Sequence, residues 1–378
     1  MERNVELKVT YIGVGNGGTQ IGIKAYDAGF NTAIINTSQR DLAEDVLPKE
    51  ILSYIIGSDG RGTGKNRNLA KEYFKDDLVQ LLNHQGISEK ISNADIVVVC
   101  AAMGGGTGSG IAPFLCNRIS RAFTDKTVIF CGVLPKLSES PQSQYNSLEC
   151  MNEVHKLNLP YMLVDLDKYS DMDDHSAHEK VADHVVKALS VLRGDKMLSS
   201  QHGMIDERDE LTIINTPGYM AIYNIDKITK ANVEMKSMSQ MVLENMKKCA
   251  AVNCQYDKII NYMGVMVSAP EEFADPLQKA NFSDLQTAVG IPYDTFYNPH
   301  INDGSKGEVT VIMSGMSLPQ NRLQTINDML AEFENSRKQK SLNVDTEFSS
   351  FGKGSITDKS AAKPQKGSID LDDIPDFL

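Results

Sequence analysis

AAMGGGTGSGIAP, residues 101–113, decides how the rest of the chain is read. Glycines stand at 104, 105, 106, 108 and 110, directly after the apolar run ADIVVVCAAM (94–103) and at the head of the helical spacing in GIAPFLCNRISRAF (110–123). Strand, glycine loop and helix in that order make an anion trap. The loop can turn backbone N–H groups toward a ligand, and the helix N-terminus behind it carries partial positive charge. Thr107 and Ser109 add hydroxyl donors. In an open α/β sheet such a loop stands at the carboxyl end of its strand, where ligands bind. A polyphosphate is the expected occupant, cradled by Gly104, Gly105, Gly106, Thr107, Gly108 and Ser109.

The flanking sequence supplies the sheet. LKVTYIGVG (7–15), NTAIINTS (31–38), TVIFCGVLP (127–135) and PYMLVDLD (160–167) read as buried strands. GTQIGIKAYDAG (18–29), NLAKEYFKDDLVQLLNH (68–84) and YNSLECMNEVHKLN (145–158) read as helices between them. Short apolar strands alternating with amphipathic helices indicate an α/β fold with a parallel sheet. HSAHEKVADHVVKALSVLRG (175–194) is a long helix, and after it the texture changes. Strands are expected at 210–225, 262–270 and 307–316, and helices at 233–252 and 320–339, which describes a smaller mixed α+β domain. Its Met-rich face (Met235, Met238, Met241, Met246) reads as core filling. The expected division is 1–173, a central helix at 174–194, a second domain at 195–340 and a tail at 341–378. The tail opens with the polar, Lys- and Ser-rich composition of a disordered linker and closes on DLDDIPDFL (370–378), a short motif suited to folding onto a partner.

Composition bounds the function. The chain has 378 residues and a net charge of −12, so a broad nucleic-acid-binding surface is not expected. A single nucleotide is still possible, because backbone N–H groups can hold it. No apolar run is long enough for a transmembrane helix, and MERNVELKVT lacks the apolar core of a signal peptide, which suggests the cytoplasm. The six cysteines show no metal-ligand spacing and read as reduced thiols. His175 and His178 beside Asp173 and Asp174 read as solvated, and no metal ligand is assigned.

Two further glycine loops invite other readings. GVGNGGTQIG (13–22) contains G-x-G-x-x-G as Gly13, Gly15 and Gly18. A dinucleotide site needs an acid at the end of the second strand, and that strand ends in Asn36. An NAD-dependent oxidoreductase would also leave 104–110 idle. GRGTGKN (60–66) fails as a Walker A loop, since Asp59 replaces the first Gly and Asn66 follows Lys65.

GGGTGSG resembles the G-G-G-T-G-[SA]-G signature of the tubulin/FtsZ family, and other segments agree with that family in order across 7–340. GNGGTQIG (15–22) is similar to the first phosphate loop, which implies nucleotide contacts from Gly15, Asn16, Gly17, Gly18, Thr19 and Gln20. INTSQRDL (35–42) resembles the family's second strand end, with Asn36. GRGTGKN is similar to the glycine loop near the γ-phosphate. LPKLSESPQSQYN (134–146) resembles the ribose loop, implying roles for Glu139 and Asn146. The arginine of FtsZ in that loop is Ser143 here, a departure shared by the TubZ-like plasmid and phage branch, which IINTPG (213–218) also matches. KVADHVV (180–186) aligns Asp183 with the residue that reads the guanine edge; the expected stacking aromatic is Glu179, with His178 as a substitute. GMIDERDELTIINTPG (203–218) resembles the catalytic loop, with Asp206 and Asp209 as its acids.

The resemblance implies GTP and GDP as ligands, Mg²⁺ on the phosphates, and hydrolysis completed by the acidic loop of a second copy in a head-to-tail filament. A TubZ-like filament that moves plasmid or phage DNA inside a bacterial host is the first expectation. The second is an FtsZ-like division protein, because LDDIPDFL resembles the FtsZ tail peptide. The tail's partner is then a DNA-binding adaptor or a division protein.

Overall fold

Strand β1 (Val9–Val14) is buried along its whole length and pairs in parallel with β2 (Asn31–Asn36) on one side and β4 (Ile96–Ala102) on the other. The chain winds outward through β2 to β3 (Leu52–Ile55), then returns past β1 to begin again with β4, β5 (Thr127–Leu134) and β6 (Pro160–Asp165). The reversal between β1 and β4 is a topological switch point, and a crevice opens there outside the strand carboxyl ends. The glycine turns after β1 and after β4 meet in that crevice.

The computed structural model describes residues 7–190, 207–252, 259–272 and 283–349. Its strands form one sheet in the order β3-β2-β1-β4-β5-β6-β7-β10-β8-β9. β7 (Gly218–Ile228) joins β6 in parallel through two register pairs, Pro160↔Gly218 and Tyr161↔Tyr219. Beyond it β10 (Gly307–Met316) runs antiparallel to both β7 and β8 (Ile259–Pro270), and β9 (Ile291–Asn302) pairs in parallel with β8. The parallel α/β half and the mixed second half match the expected fold class.

Strand alternation sorts side chains to two faces. Ile12, Val14, Val97, Val99 and Phe130 join one core with α2 (Arg67–Asn83), α3 (Gln85–Ser92), α4 (Thr107–Ala122) and α5 (Pro141–Lys156). Tyr11, Val98, Cys100, Ile129 and Cys131 join the other with α1 (Gly15–Asp27), the central helix α6 (Asp174–Leu189) and α7 (Glu207–Ile214). The remaining helices are α8 (Lys230–Met235), α9 (Met238–Lys248), α10 (Ser283–Val289) and α11 (Gln320–Ser349).

Several elements differ from the sequence reading. Residues 210–214 belong to helix α7, not a strand; Ile213 and Ile214 are buried in the α6-side core, and that packing overrides their β-branched preference. The stretch 233–252 is broken, because Lys236 is extended and Ser237 starts α9 in a capping box with Gln240. Met238, Met241 and Met246 fill the core as expected, but Met235 lies before the break and is 78% exposed. Helix α11 runs to Ser349, past the boundary expected at 340. The DLDDIPDFL motif, Cys254 and residues 191–206 lie outside the described residues. Cys100, Cys116, Cys131, Cys150 and Cys249 are free thiols. Among the described residues no helix is long and apolar enough to cross a membrane.

Candidate functional site

The switch-point crevice is a cleft of ≈ 360 Å³. Val14, Gly15, Asn16 and Gly17 line it from the β1 side, and Gly104, Gly105, Gly106, Thr107 and Gly108 from the β4 side. The two turns approach backbone to backbone: Gly15 has φ 69°, and a Cβ on it would lie 2.9 Å from the Gly108 amide nitrogen. Only glycine fits that conformation at that distance. Helices α1 and α4 start here with no side-chain cap and no acid in the first turn. Their first N–H groups lack both a capping acceptor and a compensating charge, which is what an anion requires.

Hydroxyls add to the amides. Thr107 Oγ1 lies 2.7 Å from Thr37 Oγ1 and 3.3 Å from Thr63 Oγ1, so three loops converge on one threonine. Asn36 is buried and lines the cleft, where its Oδ1 accepts from the Thr37 and Ser38 amides at 2.8 and 3.2 Å. Its side chain thereby turns the chain out of β2 into the site. Gly62, Thr63, Gly64 and Lys65 form a third wall, and Glu139, Leu166 and His178 a fourth. Glu139 Oε1 accepts from the Lys136 amide at 3.2 Å. Burial lowers the His178 pKa, against the nearby charges of Glu139 and Asp174, so a neutral imidazole faces the cleft. Asp174 pairs with Lys136 at 2.9 Å, and Asp173 caps α6 by accepting from the Ser176 amide at 3.0 Å.

Other expected residues stand behind the wall. Gly18 packs against the backbone of β4. Thr19 Oγ1 donates back to Gly15 O at 3.0 Å, and Gln20 sits on α1 outside the cleft lining. Ser109 does not offer its hydroxyl to the cleft; it donates to Gly105 O and shapes the loop from behind. Asn146 is buried, and its Nδ2 donates to Lys65 O at 3.0 Å and to Gly104 O and Gly105 O at 3.2 Å each. It ties the 60–66 loop to the 104–110 loop. Asp183 is on α6, pairs with Lys24 of α1 at 2.7 Å and is about half exposed. Asp206 lies outside the described residues, and Asp209 is on α7, away from the cleft lining.

Sequence reading missed one support. Pro113 lies inside α4 and has no N–H for the carbonyl of Ser109. Arg67 Nη2 donates to that carbonyl at 3.0 Å, and Glu153 holds Arg67 together with Lys71, whose Nζ is 2.6 Å from Glu153 Oε1.

Two glycine turns, two uncapped helix N-termini and a threonine cluster at a switch point define a nucleotide-phosphate-binding α/β domain. Residues 8–168 match the model of the Tubulin/FtsZ family, GTPase domain. Tubulin-like protein TubZ of a Clostridium botulinum C phage is 26% identical over 344 residues, 88% of this chain and 85% of that protein. The solved structure of tail-truncated Clostridium botulinum phage c-st TubZ has a TM-score of 0.68 at 22% identity, covering 88% of this chain and 98% of that one. A GTPγS-form protofilament of Bacillus thuringiensis serovar israelensis TubZ has a TM-score of 0.70 at 17% identity, covering 90% and 94%.

Proposed function

We propose that the chain binds GTP in the switch-point cleft and hydrolyses it when a second copy, stacked head to tail, delivers Asp206 and Asp209. One observation carries this reading: the cleft and helix α7, which holds Asp209, lie toward opposite ends of the sheet. Gly218, just after α7, pairs with Pro160 at the start of β6, whereas the cleft lies beyond the strand ends, at Pro135 after β5 and Leu166 after β6. A single chain therefore separates the phosphate cradle from Asp209, and a non-closing head-to-tail contact brings the two halves together. The protofilament form of the Bacillus relative supports such stacking.

Within the site, the amides of the two turns would bind the phosphates, Glu139 the ribose, and Asp183 the guanine edge, with His178 beside the base. The acids of the neighbouring copy would orient the attacking water. A hard divalent cation suits the oxygen donors Asp41, Thr63 and Thr107 on the cleft wall, which would hold it beside the phosphates. Mg²⁺ there would neutralise charge on the transferred phosphoryl group.

The test is GTP turnover measured beside light scattering. Asp206→Ala and Asp209→Ala should bind GTP and assemble but lose turnover; normal turnover in both variants rejects the assignment. Filaments that move plasmid or phage DNA are the biological role that the TubZ-like resemblance favours. The FtsZ-like tail LDDIPDFL favours a division role instead. A pulldown with the tail peptide separates them: a DNA-binding adaptor supports the first, a division-ring protein the second.

A further inference from the structure

Lys65 is the only lysine or arginine among the described residues that line the cleft. Its backbone is held at φ 65°, a left-handed value uncommon for a residue with a side chain. Asn146 fixes it there through the Lys65 carbonyl. The side chain spans from the 60–66 loop to the start of α5, where Nζ donates to Ser143 Oγ at 2.6 Å and to Ser140 Oγ at 3.2 Å. Both acceptors are neutral. They orient the ammonium without cancelling its charge, and no carboxylate pairs with it among the described residues. An ammonium has three donors, and two are engaged. The third, with the full charge, remains for a ligand in a cleft whose other phosphate-facing groups are amides and hydroxyls.

We propose that Lys65 is the cationic clamp of this site: it binds a phosphate oxygen of the guanine nucleotide directly, pre-positioned by Ser140 and Ser143. This rests on the GTP-binding reading above and adds to it the one side chain among the described residues of the cleft that supplies fixed positive charge. A strained residue persists where its surroundings over-determine it, and here Asn146 and the two serines do so.

The sharp test is Lys65→Gly. Glycine adopts the same φ without strain, so the variant adds no backbone strain, and thermal melting reads separately what the lost bonds to Ser140 and Ser143 cost. Binding of GTP, GDP and guanosine is titrated at several salt concentrations, with thermal melting alongside. The expected result is a loss of about tenfold or more for GTP and GDP, the size of one charge-assisted hydrogen bond. Guanosine binding stays unchanged, the salt dependence of GTP binding flattens, and Lys65→Arg recovers most of the affinity. Unchanged GTP affinity in Lys65→Gly, or equal losses for GTP and guanosine, overturns the clamp while leaving the GTP site intact. Wild-type protein that binds no guanine nucleotide overturns both.

Discussion

Arg67 donates to the carbonyl oxygen of Ser109, the acceptor that Pro113 leaves without its helical partner. The proline lets α4 keep its course behind the glycine loop, and the guanidinium repairs the gap. Arg67 is itself buried against Glu153 and beside Lys71, so the repair is tied to a desolvated ion cluster. Removing Arg67 leaves Glu153 paired with Lys71, but it strips the Ser109 carbonyl and one Glu153 oxygen of a buried donor. Arg67→Ala should therefore cost about 2–3 kcal/mol of folding stability. In a Pro113→Ala background residue 113 regains an N–H for Ser109, and the same substitution should cost about 1 kcal/mol less. Urea unfolding of the four proteins in the cycle measures both numbers; additive costs would show that Arg67 does not serve that carbonyl.

The second support joins loops instead of repairing a helix. One Asn146 amide group faces the carbonyls of Lys65, Gly104 and Gly105. Asn146→Ala should cost about 1–3 kcal/mol, the penalty for buried carbonyls left without a donor. Asn146→Asp, nearly the same size, should cost more, because a carboxylate would face three carbonyl oxygens. Thermal melting orders the variants, and an Asp variant as stable as wild type would remove Asn146 from this role.

These two residues mark the limit of what the sequence discloses. The β1 and β4 strands, the glycine loops between strand and helix, and the parallel half were legible because period and glycine placement are local signals. Asn146 and Arg67 act across 81 and 42 positions of chain, and no local pattern announces those bonds. Asn146 was singled out through the family resemblance as a ligand contact, yet its side chain is spent on the loops. Strand β9 escaped notice because IPYDTFYNPHIN carries two prolines and exposed polar residues, which an edge strand tolerates. At Ser143, the position of the departure from the FtsZ arginine, the fold brings in Lys65 from another loop.

The two halves of the sheet are latched near the same cleft. Arg322 of α11 donates through Nε to Asp165 Oδ2 at 2.7 Å and through Nη2 to both Asp165 Oδ1 at 3.0 Å and Pro135 O at 2.7 Å. Asp165 ends β6 and is buried, and Pro135 is part of the cleft wall. Arg322→Ala should destabilise by about 3–5 kcal/mol, since Asp165 would stay charged and buried. Adding Asp165→Asn should return part of that loss by removing the stranded charge. Guanidinium unfolding checks the pair; a double variant no more stable than Arg322→Ala would argue against the latch.

His184 gives the fold a pH dependence of definite sign. Its Nε2 is sealed inside the packing of α6 without a partner, and burial, with a smaller push from Lys187, lowers its pKa to about 4. In the unfolded chain a histidine titrates near ~6.5. Above that pH the imidazole is neutral in both states, and its contribution is complete. As pH falls below the unfolded value, the unfolded chain gains a proton that the folded protein refuses until about 4. Stability is therefore lost with acid across that window, by about 2 kcal/mol at pH ~5. His184→Gln cannot titrate and should flatten the stability curve between pH ~7 and ~5 by that amount. Denaturant midpoints for both proteins across the window measure the difference. Parallel curves would mean that His184 takes up its proton in the folded protein as readily as in the unfolded chain.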